Sequence, residues 1–263
     1  MSYFKVKKYI SDFNIFGKDL GFNKLYVVGG LCRDLVNYDG NIGYTSDVDL
    51  TCCDGPKSTI LGLLISKEYS ASLKYFKNKH CSMFVDGVKF DFSSGFIADG
   101  IASMTNNNRY KEDVLSRDFT LNSLLLDVEK DTLIDVTKNA VKDINNKMIR
   151  PVVSAEISLK DTPNRALRAI ELATRLNFNI DSSIVDYIVK EKSIFKKQHE
   201  ENIGNASSMI TKCLKNDEEY ALYWLKKTEI LYQVPLTGKL KEVLIRRDMV
   251  DEYFEGTSSM INP

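Results

Sequence analysis

The chain has 263 residues, and its 36 Lys plus Arg balance 36 Asp plus Glu, so the formal net charge is zero. A hydrophobic fraction of 43% and a charged fraction of 27% exclude an intrinsically disordered chain. No run of about 18 apolar residues is present, so we expect no membrane span. The neutral balance argues against a broadly basic nucleic-acid-coating protein but allows a local basic groove.

Cysteine and histidine content limits the chemistry. The five cysteines are odd in number and form no C-x-x-C pair, which disfavours a zinc site or a disulfide framework. No apolar leader follows Met1, so we predict reduced thiols in a cytoplasmic protein. Neither His80 nor His199 lies in a pattern typical of a catalytic triad or a metal site. An enzyme of this composition would therefore rely on carboxylates and basic residues.

The first 150 residues predict a mixed α/β domain. Short apolar or alternating runs bounded by Gly, Asp or Asn indicate strands, and Asp86-Gly87 is a strong hairpin turn. The predicted strands, in chain order, are 24–30 and 47–53, followed by the hairpins 81–93 and 123–136. The predicted helices are 31–37 and 57–69, and Asn106–Asn108 marks a loop.

After Arg150-Pro151 the strand-like alternation ends, and the sequence predicts an all-helical region. Apolar residues follow a helical stripe from Asn164 to Asn177, and the small, polar tail from Gly256 should fray. Further predicted helices are 182–195, 203–216, 217–228 and 237–253. We therefore predict an α+β chain of two domains, with a small mixed β-sheet in residues 1–150 and helices in residues 151–263.

Two carboxylates, Asp47 and Asp49, lie two residues apart on the second predicted strand. Side chains at i and i+2 point to the same face, where two carboxylates repel each other unless a cation lies between them. Mg²⁺ favours such oxygen ligands and completes its shell with water and phosphates. The alternative is a chance D-x-D pattern. Asp91 is either a third acidic group beside this site or an outward-facing strand residue.

A second group, Gly29-Gly30-x-x-Arg33-Asp34, follows the first predicted strand and begins a helix. Glycines let backbone N–H groups approach a phosphate at a helix N-terminus, and Arg33 could add a charge-assisted contact. The segment is neither a dinucleotide fingerprint nor a P-loop. The alternative is an ordinary glycine turn with a surface ion pair.

Two later segments are dense in polar side chains. Arg117, Asp118 and Asn122 lie just before an apolar run, and arginine and asparagine suit contacts to a triphosphate and to ribose hydroxyls. Arg165 and Arg168 lie on one face of a predicted helix, where the alternative is a solvated face.

In their order along the chain, these motifs resemble those of class II tRNA nucleotidyltransferases and bacterial poly(A) polymerases, a branch of the polymerase-β-like nucleotidyltransferases. The similarity covers roughly residues 24–180 and is carried by segments 26–34, 47–50, 117–123, 133–135 and 163–170. It implies a nucleotidyltransferase head followed by a helical neck and body. It also implies Mg²⁺-dependent, template-independent addition of nucleotides to an RNA 3′ end, with tRNA as the expected acceptor and ATP and CTP as expected donors.

The resemblance also implies roles for individual residues. Asp47 and Asp49 would hold the metal, and Asp91 is a candidate third catalytic carboxylate. The residues implied to contact the nucleotide are Gly29, Gly30, Arg33, Asp34, Arg117, Asp118, Asn122, Asp161, Thr162, Arg165 and Arg168.

Three departures from the family pattern bear on the substrate. The base-reading motif Glu-Asp-x-x-Arg, aligned on Arg165, has Asp161 and Thr162 at its acidic positions, unless a shift of one residue gives Asp161 the base-reading role. Ser116 replaces the first of two arginines, and the chain stops near 263 where relatives are commonly longer. The alternatives are a poly(A)-polymerase-like enzyme acting on another RNA, an inactive nucleotide- or RNA-binding relative, and a structural protein. The sequence does not predict the oligomeric state.

Overall fold

The computed structural model of the chain describes residues 2–52, 57–76, 80–92 and 113–259. It divides into two compact units, Met1–Asn146 and Lys147–Pro263. The predicted loop at 106–108 lies outside the described residues. Within the described ranges, no helix is long and apolar enough to cross a membrane.

The first unit contains a seven-stranded mixed sheet with the strand order β3-β4-β5-β2-β1-β6-β7. Only the β2–β5 pair is parallel, and the other neighbouring strands are antiparallel. This confirms the predicted small mixed sheet. The strands are β1 (Tyr26–Val28), β2 (Asp47–Thr51), β3 (Leu73–Tyr75), β4 (Cys81–Val85), β5 (Val88–Phe92), β6 (Leu125–Asp127) and β7 (Thr132–Ile134). The helices are α1 (Tyr3–Asp19), α2 (Gly30–Asn37), α3 (Lys57–Glu68) and α4 (Ala140–Asn145).

Turn chemistry fixes the hairpin between β4 and β5. Asp86 and Gly87 both have positive φ, at 50° and 76°, as the two central residues of a tight hairpin turn require. The predicted β6–β7 hairpin is also present.

Helix α1 is an element that the sequence reading missed. Its buried residues include Val6, Ile10, Phe13 and Gly17, a spacing of three to four residues that places them on one helical face. The Phe13 ring packs edge-on against Phe90 of the sheet, with ring centroids 5.2 Å apart. The apolar stripe was therefore present in the sequence, although charged residues interrupt it. β3 and α4 were also missed.

The second unit is helical except for one small strand pair. Its helices are α5 (Ala155–Asp161), α6 (Arg165–Leu176), α7 (Ser182–Lys190), α8 (Lys192–Glu201), α9 (Ile203–Asn216), α10 (Glu218–Lys227), α11 (Gly238–Arg246) and α12 (Val250–Ser259). Strands β8 (Met148–Ile149) and β9 (Asn179–Ile180) pair in parallel, so the all-helical prediction is wrong at this pair.

Two long predicted helices are each divided in the structure. The predicted helix 182–195 breaks at Glu191, whose backbone leaves the helical region at φ −106° and ψ 39°. The predicted helix 237–253 breaks near Asp248, which has a positive φ of 56°. The prediction that the tail frays from Gly256 is wrong for residues 256–259. Helix α12 continues to Ser259, and Gly256 packs against the Tyr232 ring.

A buried histidine should make the second unit sensitive to acid. His199 is 0% exposed, and neither of its ring nitrogens has a hydrogen-bond partner among the described residues. Burial lowers its pKa from 6.5 to about 4. The unfolded chain therefore takes up this proton at a higher pH than the folded unit, so the stability that depends on neutral His199 is complete above pH 6.5 and is lost as the pH falls toward 4.

We expect proton uptake by His199 in the unfolded chain to lower the free energy of unfolding by about 2 kcal/mol between pH 7 and pH 5. Urea unfolding followed by the fluorescence of Trp224, the single tryptophan, reports on this unit. His199→Leu should remove this part of the pH dependence. An equal loss of stability at pH 5 in His199→Leu and in the unsubstituted protein would contradict the assignment.

Candidate active site

The parallel pairing of β2 with β5 brings four charged side chains to one face of the sheet. Asp47 is opposite Lys89, and Asp49 is opposite Asp91. Because alternate strand residues share a face, these four residues, three carboxylates and one lysine, form a two-by-two array. We call it the carboxylate array. Val48 and Leu50 of β2 are buried on the other face.

Hydrogen bonds hold the array on its β5 side. Lys89 donates to Asp91, and its ammonium nitrogen lies 3.4 Å from Asp47 Oδ1. Ser82 on β4 is opposite Asp91 and donates its hydroxyl to that carboxylate. Asp91 therefore lies directly opposite Asp49 on the neighbouring strand, next to the acidic pair of Asp47 and Asp49. Within the described ranges, no three His, Cys, Asp or Glu side chains are grouped so that they could hold a metal ion.

Burial and neighbouring charges both act on the Asp49 carboxylate. Burial raises the pKa of Asp49 to about 6, the positive charge of Arg117 opposes this shift, and the carboxylates of Asp47 and Asp91 add to it. The ionised form of Asp49 is therefore disfavoured mainly because burial separates it from water. Such a site gains stability from a bound cation.

Gly29 places the glycine turn directly against the array. Val28 pairs with Asp49 across β1 and β2, and Gly29 has a φ of +75°. A Cβ atom at Gly29 would lie only 2.6 Å from Asp49 Oδ2. The positive φ therefore favours glycine, and any side chain at this position would displace the Asp49 carboxylate. Helix α2 begins at the next residue, Gly30.

Arg33 links the glycine turn to a segment 89 residues later. Its side chain is 3% exposed and pairs with Asp34, with Nε and Nη2 lying 2.8 and 2.7 Å from Asp34 Oδ1. Nη1 donates to Asn122 Oδ1 at 3.0 Å, and Asn122 donates to Asp118 at 3.1 Å. The alternative of a surface ion pair is wrong for Arg33 because its guanidinium is buried and bridges two motifs.

Arg117 lies in a buried ion pair next to the array. Its Nη2 is 3.0 Å from Asp113 Oδ2, and Thr51 of β2 donates to the other Asp113 oxygen at 3.3 Å. Asp113 and Asp49 both raise the pKa of Arg117 against the effect of burial. The guanidinium is therefore held beside the array by a carboxylate that sequence reasoning assigned no role.

The four later candidates lie in the second unit, around the junction of α5 and α6. Asp161 ends α5 and is exposed, and Thr162 follows it. Arg165 donates to Ser158 Oγ at 2.8 Å. Arg168 pairs with the buried Glu171 at 2.5 Å, and the other Glu171 oxygen accepts from Arg175. Arg165 and Arg168 are thus held by a hydrogen bond and an ion pair within their own unit, and their helix face is only partly solvated.

The sequence reading missed three residues of the head site: Ser82, Lys89 and Asp113. The available signal for Lys89 was its i, i+2 spacing from Asp91, which indicates a shared strand face. Ser82 and Asp113 reach the site through pairing and packing, for which the sequence contains no local signal.

The chain was compared with known proteins. Residues 25–150 match the model of the poly A polymerase head domain. The chain is 36% identical over 103 residues to tRNA nucleotidyltransferase cca2 of Schizosaccharomyces pombe, covering 38% of this chain and 21% of that protein. It is 26% identical over 192 residues to a CCA-adding enzyme of Lactobacillus helveticus, covering 71% of this chain and 45% of that protein. The chain thus spans from a fifth to about half of these relatives.

Solved structures share the fold. The Thermotoga maritima CCA-adding enzyme in complex with tRNA superposes with a TM-score of 0.64 at 21% identity, over 87% of this chain and 52% of that one. A tRNA nucleotidyltransferase in complex with a primer tRNA and an ATP analogue superposes with a TM-score of 0.63 at 22% identity, over 94% of this chain and 70% of that one. These similarities confirm the predicted α+β fold. Residues 25–150 are thus similar to the poly A polymerase head domain, in agreement with the family that the motifs resemble.

Proposed function

We propose that this chain is a metal-dependent nucleotidyltransferase that adds nucleotides from NTPs to an RNA 3′ end without a template. The carboxylate array next to the Gly29 turn carries the proposal, since it combines metal-binding oxygens with a phosphate-binding turn. We further propose tRNA as the acceptor and CTP and ATP as donors. The similarity to CCA-adding enzymes, including structures described with CTP and with ATP, supports this choice.

The donor set fits Mg²⁺. Asp47 and Asp49 offer hard carboxylate oxygens, which Mg²⁺ prefers together with water and phosphate oxygens, and a bound cation would favour the ionised form of Asp49, whose pKa burial raises to about 6. Asp47 and Asp49 would hold the metal, with Asp91 as a further acidic group. Bound Mg²⁺ would neutralise phosphate charge and lower the pKa of the RNA 3′ hydroxyl.

Other residues of the head would position the nucleotide. Backbone N–H groups of Gly29 and Gly30 can approach phosphate oxygens because no side chain intervenes. Arg33 fixes this turn relative to Asn122, so that the triphosphate and ribose contacts would keep a constant spacing. Arg117 stabilises the ionised form of Asp49. Phosphoryl transfer needs mainly such positioning and charge neutralisation, which a histidine-poor chain can supply.

In the second unit, we propose that the α5–α6 junction contributes to nucleotide choice. Asp161 and Thr162 present a carboxylate and a hydroxyl, and Arg165 and Arg168 are each oriented by a hydrogen bond or ion pair from their own unit. A carboxylate only accepts hydrogen bonds when ionised, whereas a hydroxyl can also donate. Thr162 would therefore discriminate less sharply between amino and carbonyl groups of the base.

The cellular location stays a prediction. The odd cysteine count favours a cytoplasmic protein with reduced thiols. Two of the relatives are named as mitochondrial, from Candida glabrata and Saccharomyces cerevisiae.

Removal of the metal-binding carboxylates should abolish nucleotide addition. We expect Asp47→Asn and Asp49→Asn each to lower the rate of NTP incorporation by about a thousandfold or more. The assay uses Mg²⁺, each labelled NTP in turn, and tRNAs that end before or within CCA. Product length separates one to three added nucleotides from a long poly(A) tail.

Asp131→Asn is the matched control, since Asp131 is an exposed carboxylate of the same unit that pairs only with Lys7 among the ion pairs of the described residues. It should retain full incorporation. No incorporation by the unsubstituted protein with any NTP and RNA would favour the inactive binding relative. Full activity of Asp47→Asn would show that nucleotide addition does not depend on the Asp47 carboxylate.

Restoring a carboxylate at position 162 should sharpen nucleotide selection. Thr162→Asp would accept hydrogen bonds from the amino groups of C and A and repel the carbonyl groups of U and G. We expect the ratio of kcat/KM for CTP and ATP over UTP and GTP to rise about tenfold. Thr162→Ser, which keeps the hydroxyl, should leave the ratio unchanged. If Thr162→Asp also leaves it unchanged, position 162 does not read the base.

A further inference from the structure

Lys89 is a cation built into the carboxylate array. It is opposite Asp47 on the neighbouring parallel strand and two residues before Asp91 on its own strand. Its backbone N–H donates to the carbonyl of Ser46 at 2.9 Å, which fixes the register of β5 against the start of β2. The lysine backbone is therefore held in place, while its side chain is 33% exposed.

The ammonium of Lys89 contacts two of the three carboxylates. It donates to Asp91 and lies 3.4 Å from Asp47, whose side chain is 65% exposed. The Asp91 contact is reinforced by Ser82, which donates to the same carboxylate. The Asp47 contact is longer and more exposed, so it is the weaker of the two.

The other nearby cation is already engaged. Arg117 forms an ion pair with Asp113 at 3.0 Å, so only part of its charge compensates Asp49. Among the described residues, Lys89 is the only cation that forms an ion pair with any of the three carboxylates. Lys89 therefore supplies the positive charge that a metal-free array requires.

We propose that Lys89 is the resident counter-cation of this site and that a divalent metal must displace it from Asp47 in order to bind. The proposal rests on the metal site of the proposed function. It gives Lys89 two positions: bridging Asp47 and Asp91 without metal, and paired with Asp91 alone when metal is bound. The positive charge of Lys89 then lowers metal affinity, because like charges repel across the array.

The test measures metal binding directly, without RNA or turnover. Mn²⁺ binding is followed by electron paramagnetic resonance, and Mg²⁺ binding by isothermal titration calorimetry. Lys89→Met should lower the Kd for both ions by roughly tenfold. It should also lower the Tm in EDTA and give a larger rise in Tm on addition of metal than the unsubstituted protein shows. Lys89→Gln provides a second neutral side chain if Lys89→Met does not fold.

Two controls separate charge from general disruption. Lys89→Arg keeps the cation and should keep the original affinity. Lys24→Met removes a lysine that also bridges two carboxylates, Asp127 and Glu129, at the opposite end of β1, and should not alter metal affinity. Adding Asp49→Asn to Lys89→Met should abolish the gained affinity and thereby locate it in the array.

Unchanged or weaker metal binding in both Lys89→Met and Lys89→Gln would overturn the proposal. So would the absence of metal binding in every variant. Neither result decides the nucleotidyltransferase assignment, which NTP incorporation by the unsubstituted protein tests independently.

Discussion

The burial of Asp49 beside two other carboxylates, Asp47 and Asp91, is the constraint around which the head site is organised. Parallel pairing of β2 with β5 places these carboxylates on one sheet face. Burial raises the pKa of Asp49 to about 6, and repulsion from the other two carboxylates adds to this shift. We propose that the array is a cation site whose charge is compensated, in the absence of metal, by Lys89 and Arg117.

The surrounding structure keeps this site narrow and fixed. Gly29 allows the β1–α2 turn to approach Asp49 so closely that a methyl group would collide with its carboxylate. The buried Arg33 then ties this turn to Asn122. These two contacts bring together the glycine turn, strand β2 and the Asn122 segment, which are far apart in sequence. We propose that each of these motifs supplies a different part of one nucleotide site.

Local chemistry made much of the head predictable. Asp86-Gly87 specifies its hairpin because both residues accept positive φ, and the D-x-D spacing specifies a shared strand face. The parallel register that places Lys89 opposite Asp47 could not be read in this way, because it is set by tertiary pairing between strands about 40 residues apart. In the second unit, the apolar periodicity predicted helices well but not their breaks, since Glu191 and Asp248 interrupt the backbone without a Pro or Gly signal.

We propose that the carboxylate array binds the catalytic metal together with the nucleotide. Crystals grown with Mn²⁺ and a non-hydrolysable CTP or ATP analogue would test this proposal, because the anomalous signal of Mn²⁺ locates the ion. We expect an ion held by Asp47 and Asp49 and in contact with the triphosphate, with Lys89 no longer bridging to Asp47. A bound nucleotide whose metal lies away from both aspartates would contradict it.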